Sequence, residues 1–134
     1  MTAMSIYLWM PGTAREALTF YRDVFGGDLE MHTLAEMGRS DGPADAIGHG
    51  ALSGPVSLFA TDAVGDEEPL AMHGAAVALL GTADGPTLTR WYEALAQGGT
   101  VLDALQERPW DATDGQVRDR FGVRWLIGFE HAAA

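Results

Sequence analysis

Four histidines and no cysteine bound the nucleophilic and metal chemistry open to this chain. A metal centre or a general base would draw first on His32, His49, His73 and His131. His49 stands in the string GHGAL, and a strand period of two puts His49, Ala51 and Ser53 on one face, with Gly50 and Leu52 on the other. Should the first face line a cleft, His49 is the best polar ligand contact in the chain; the plainer reading is a half-buried strand histidine bonded to nearby backbone. His32 alternates with Glu30 and Leu34, so a cluster of His32, His49 and Glu30 or Glu36 can be drawn, yet no H-x-x-x-H spacing supports it. His73, in a connector, and His131, near the C-terminus, read as exposed. With no cysteine and no G-x-S-x-G turn, covalent nucleophilic chemistry is not indicated.

Aromatic residues form the second group. Tyr7 and Trp9 share a strand face, and Phe59, Trp110 and Trp125 lie elsewhere in the chain. Such rings carry a large apolar area with a polar handle, suited to gripping a flat ligand and equally suited to packing a sheet. Trp91 sits at helical spacing and reads as core, whereas Trp110 follows Pro109 in a loop, where a core role is less automatic. Asp111 and Asp114, in DATDG, could favour a cationic ligand, but short acids in such a string more simply make turns. The acid run GDEEP at 65 to 69 reads as a solvated linker.

The elements that must hold these residues repeat. TARE offers Thr13 as an N-cap with Glu16 as its capping-box partner. Ala17, Phe20, Tyr21 and Val24 then trace one helical face, and Gly26 and Gly27 end it. Leu88, Trp91, Tyr92 and Leu95 repeat the spacing, with Asp84 or Gly85 near the cap, Pro86 in the first turn, and Gly98 and Gly99 as the stop. Strands are expected at 5–10, 28–37, 46–53 and 55–61 around the first helix, and at 75–81, 100–107, 115–120 and 123–130 around the second. Each half therefore runs strand, helix, strand, strand, strand, as an internal duplication would. Neither half buries its sheet face alone, so the two are expected to join sheets around a shared cleft.

Composition narrows the classes of function. At 134 residues with 47% hydrophobic and 20% charged content the chain is expected to be one soluble globular domain. Nineteen acidic against eight basic residues give a net charge of −11, which repels a phosphate backbone and an anionic membrane. Nucleic acid and membrane are thus not expected as partners. No signal-like leader opens the chain, and a cytoplasmic location is the expectation.

Four strings carry a family resemblance: EALTFYRDVFGGDLE (16–30), HGALSGPVSLFATD (49–62), WYEALAQGGTVLDALQERPW (91–110) and DRFGVRWLIGFE (119–130). In that order, on paired βαβββ modules, they resemble the vicinal oxygen chelate superfamily of glyoxalases, bleomycin-resistance proteins and dioxygenases, and within it the PhnB-like branch. The most specific is the Asp-x-Phe-Gly-x-x-Trp turn and strand at 119–125. The resemblance implies an α+β fold in which two βαβββ modules, 4–62 and 74–131, form a mixed curved sheet around a cleft, within a single domain 1–134 and in a homodimer.

It also implies a divalent metal held by His or Gln and Glu from the first strand of each module and from the last strand. At those places this chain has Tyr7 and Trp9, Val77 or its neighbouring alanines, and Leu126. The metal triad is therefore expected to be missing, and no cofactor is expected, a divalent metal being the alternative. The methyltransferase name carried by some members of the branch finds no support, since no Gly-rich loop after a strand suits a Rossmann-type S-adenosylmethionine site. RPWDATDGQ departs from the branch, which tends to have Gly where Asp111 stands and Phe where Asp114 stands.

The expected function is small-molecule binding in the cleft, with Tyr7, Trp9, His49, Phe59, Trp110 and Trp125 as contacts. The alternatives are a metal-dependent glyoxalase- or dioxygenase-like enzyme using His32, His49, His73 and nearby Glu, or a structural dimer whose cleft is filled by its own side chains.

Overall fold

A computed structural model describes residues 4–131. The chain divides into two compact units, Met1–Leu70 and Ala71–Ala134, each built as one βαβββ module. The first comprises β1 (Ile6–Met10), α1 (Ala14–Phe25), β2 (Asp28–Thr33), β3 (Ile47–Ser53) and β4 (Leu58–Asp62). The second comprises β5 (Val77–Leu80), α2 (Gly85–Ala96), β6 (Thr100–Arg108), β7 (Ala112–Arg118) and β8 (Arg124–Glu130). Their sheets have the same order, β1-β4-β3-β2 and β5-β8-β7-β6, with the first pair parallel and the others antiparallel. The duplication read from the sequence is a duplication of topology.

Each helix covers one face of its own sheet. In α1 the buried stripe is Ala14, Ala17, Leu18, Tyr21 and Phe25. Leu18 and Phe25, rather than Phe20 and Val24, thus complete the expected face, and they pack towards Leu8, Met10, Leu52 and Leu58, all nearly inaccessible. In α2 the four expected residues, Leu88, Trp91, Tyr92 and Leu95, are all buried. Beneath them lie Leu79, Val117, Trp125 and Ile127, each burial of this kind contributing about 1.5–3 kcal/mol. At corresponding points the two modules need a residue without a side chain. A Cβ on Gly27 would meet the Ser53 carbonyl oxygen at 2.5 Å, and one on Gly99 would meet the Arg118 carbonyl oxygen at 2.3 Å, because helix exit and strand end cross there backbone to backbone.

The helix starts differ from each other and, in one case, from expectation. Asp84 caps α2, its side chain accepting from the Thr87 amide at 2.8 Å, as its position before Gly-Pro suggests. Thr13 occupies the N-cap of α1 but makes no side-chain capping bond. The expected box with Glu16 is replaced by Asp62 at the end of β4, a residue only 6% exposed. One carboxylate oxygen of Asp62 accepts from the Ala14 amide at 2.9 Å and the other from the Ile47 amide at 2.8 Å, tying helix start and β3 start to one side chain.

Several strand limits also move. The expected strand 28–37 stops at Thr33, where Thr33 and Glu36 bond reciprocally into a turn: Glu36 accepts from the Thr33 amide and hydroxyl, and the Glu36 amide donates back to that hydroxyl. β7 begins at Ala112 rather than 115 because the turn after Arg108 is tight, closed by the Asp111 amide on the Arg108 carbonyl at 3.1 Å. Asp111 there has φ 67°, a left-handed conformation that Asp tolerates better than most side chains. Asp114, expected in a turn, is a strand residue whose carboxylate accepts from the Arg108 guanidinium at 2.7 Å.

Candidate functional site

The face of the first sheet turned away from α1 collects most of the candidates. Alternation along β1 buries Leu8 and Met10 and leaves Tyr7 36% and Trp9 39% exposed. Parallel pairing with β4 sets Tyr7 beside Phe59, and antiparallel pairing with β3 and β2 brings Ala51, His49 and His32 onto the same side. The rings pack against one another in a row: Tyr7 to Trp9 at 4.6 Å between centroids, Tyr7 to Phe59 at 6.0 Å, and Phe59 to His49 at 5.6 Å. These distances suit offset aromatic packing. The Tyr7 hydroxyl and His49 Nδ1 share a hydrogen bond of 3.2 Å, so the polar tips are linked as well as the rings.

The connector after β4 supplies an acid to this face. The Trp9 indole N–H donates to Glu67 Oε2 at 3.2 Å, while Glu67 Oε1 accepts from the Val64 amide at 2.9 Å. The Leu70 amide also donates to the Trp9 carbonyl at 2.7 Å. Glu67 is therefore no bystander in a solvated linker; its carboxylate spans the connector and the edge strand. Partial burial raises the Tyr7 phenol above its ordinary value, and the Glu67 charge adds to this against a smaller opposing effect of Arg39. At neutral pH Tyr7 is thus an uncharged phenol able to donate or accept.

His32 lies opposite His49 in register, with Nε2 2.7 Å from Glu30 Oε1 and Nδ1 4.0 Å from Glu36 Oε2. Glu36 is held below the usual carboxylate range mainly by its bonds from Thr33, so its first engagement is the turn. Among the described residues no three His, Asp or Glu side chains are placed to hold a metal ion. The positions where the family places its ligands do not fit one either. Tyr7 is on the open face of the first sheet, while on the second the residues paired across the open face are Ala78 and Leu126, with Val77 turned towards Trp125 on the helix side. A phenol, a methyl and an isobutyl group are not a divalent-metal donor set.

The remaining candidates lie in the second module. Trp125 is a correction: in β8 its side is the α2 side, where it is 0% exposed and its indole N–H donates to Asp119 Oδ2 at 2.8 Å. It is a core residue. The other oxygen of Asp119 accepts from the Phe121 and Val123 amides, so the Asp-x-Phe-Gly-x-x-Trp string is a folding motif that locks a turn to the sheet behind it. Trp110, 66% exposed, projects from the β6–β7 turn beside a pocket at that end of the module. His73 is exposed, contributing its carbonyl to Arg124 at 3.1 Å. His131, expected to be exposed, is half-buried and bonded to Thr113 at 2.7 Å and Asp111 at 3.3 Å.

Comparison with known proteins gives this architecture its family. Protein YjdN of Escherichia coli is 27% identical over 92% of both chains. Protein PA1353 of Pseudomonas aeruginosa superposes with a TM-score of 0.80 at 31% identity, covering 98% of this chain and 100% of its own. A PhnB protein from Bacillus cereus, 19% identical, shares the fold at a TM-score of 0.75 over 98% of this chain and 100% of its own. The family model of the glyoxalase/bleomycin resistance protein/dioxygenase superfamily matches residues 9–127. With two βαβββ modules of one topology and a match across nearly its whole length, the chain belongs to that superfamily and has its PhnB-like fold.

Proposed function

We propose that this protein binds a small molecule bearing a flat, partly apolar group on the open face of the first sheet, without the metal triad of the family's enzymes. The observation that supports this is the row Trp9, Tyr7, Phe59 and His49, packed ring to ring on a face that α1 leaves uncovered. Rings held by their neighbours lose little freedom when a ligand stacks on them, which favours affinity over looseness. The Tyr7–His49 pair and the Glu67 carboxylate give that ligand polar groups to orient against. Homodimer formation and a cytoplasmic setting belong to the same proposal, the first supported by the exposed apolar side chains Val101 and Leu102, the second by the absence of cysteine.

A thermal-shift and ligand-observed NMR screen of small aromatic compounds tests it, because a ligand that binds only the folded state must raise apparent stability. Binders should lose affinity in Trp9→Ala and His49→Ala while Trp110→Phe leaves it unchanged. A screen in which every binder is insensitive to both first-module variants would overturn the assignment. Stoichiometric divalent metal in protein purified without chelator, lost with His49→Ala, would overturn the metal-free part and favour the enzyme reading.

A further inference from the structure

We infer that the second module carries a separate site for an organic cation, an ammonium group on an apolar or aromatic body. The site is a pocket of about 660 Å³ at the end of the sheet, bounded by the β5 end, the first turn of α2, the start of β7 and the end of β8. That volume is within the range of small-molecule sites, roughly 300–1,000 Å³. Its apolar walls are Leu80, Trp110 and Phe129, of which Leu80 is 55% and Trp110 66% exposed. Such exposure of a tryptophan follows from the turn: Asp111 in its left-handed conformation reverses the chain immediately after Trp110.

Space is kept by a glycine. A Cβ on Gly85 would come within 2.9 Å of the Phe129 ring, so the first helical residue lets that ring lie against the helix start. The charge lining the pocket has one sign. Asp84, Asp114 and Glu130 line it, and among the described residues no Arg, Lys or His does. Asp114 is already answered by Arg108, and Asp84 uses one oxygen on the Thr87 amide, which holds its carboxyl below the usual range. The Glu130 side chain, unlike its strand-paired backbone, has no hydrogen-bond or ion-pair partner among the described residues and is the group left to meet a cation.

An anion would find less here, although a helix N-terminus borders the pocket. Pro86 has no N–H to offer and the Thr87 amide is taken by Asp84, so the donors that make helix starts anion sites are largely spent. The overall charge of −11 draws cations towards the surface, and the Trp110 ring offers a π face to one.

The test uses 2-phenylethylammonium, its neutral isostere 2-phenylethanol and phenylacetate as probes, in equilibrium dialysis with the full chain. The ammonium should bind saturably and about tenfold more tightly than the alcohol, with phenylacetate weakest, the size a cation–π contact beside a carboxylate gives. Glu130→Gln should remove most of that preference while leaving alcohol binding unchanged, and Trp110→Ala should weaken both. Trp9→Ala should alter neither, which separates this pocket from the first-module face. Equal binding of ammonium and alcohol, no saturable binding, or loss through Trp9→Ala with Glu130→Gln silent would each overturn the inference. So would protection of Trp110 from acrylamide quenching as the chain self-associates, because a second copy would then fill the pocket.

Discussion

Asp62 offers the sharpest check on how the first module is held together. Its two oxygens accept from the amides of Ala14 and Ile47, and the carboxylate is almost wholly buried. In Asp62→Ala both amides lose their acceptor, at about 1–3 kcal/mol each, so about 3 kcal/mol in total is expected. Asp62→Asn should fall in between, since one amide oxygen can serve one N–H while its own NH2 faces the other donor. Thr13→Ala, which would cost about 1 kcal/mol were the hydroxyl a cap, should be silent within about 0.5 kcal/mol, because Thr13 makes no capping bond. Urea melts followed by far-ultraviolet circular dichroism would measure all three. A Thr13→Ala loss equal to that of Asp62→Ala would refute the account, as would an Asp62→Ala loss below about 1 kcal/mol.

Other perturbations follow from the same geometry. Gly99→Ala, at a residue with ordinary φ, forces a Cβ against backbone at 2.3 Å and should destabilise by about 1–3 kcal/mol in a chemical denaturation curve. Trp125→Phe removes buried volume and the bond to Asp119, and about 2–3 kcal/mol should be lost by the same measure. Alkaline titration read at 295 nm should show Tyr7 and Tyr92 ionising above the ordinary phenol range, chiefly because both are partly buried, with Tyr7→Phe removing one late phenol. The sign is that of a raised folded value: the stabilising contribution is complete below the unfolded value near 10 and disappears as pH rises through the folded one.

Local chemistry explains which parts of this molecule could be read in advance. The α2 start was legible because cap, proline and periodicity lie within a few residues of one another, and Asp84 does cap it. The α1 start was not, since a string that suits a capping box was overridden by a carboxylate 48 residues further on, brought in by the parallel β1–β4 pairing. Period-two alternation placed Tyr7 and Trp9 on one face and His49 opposite Gly50, and pairing then joined them to Phe59. It could not say which face of β8 meets a helix, and there Trp125 falls on the α2 side. Nothing local marks Glu67 either: its role depends on the connector folding back along β1, seen in the Leu70 amide on the Trp9 carbonyl.

Two copies of one topology have diverged where topology does not constrain them. Helix-side positions remain largely apolar in both modules because changing them disturbs a packed interior, and Gly27 and Gly99, though exposed, answer the same close crossing of backbone on backbone. The open faces carry no such demand. The first became a row of rings with Tyr7, Trp9, Phe59 and His49. The second became ionic: Arg108 joins Asp103 and Asp114, and Arg124 donates twice to Gln116. A ring row accepts a flat apolar group with little desolvation cost, whereas guanidinium pairs that satisfy each other gain little from a new partner. The two open faces therefore differ in chemistry although their folds are alike, and the ring row is the sheet face on which to look first for stacking contacts.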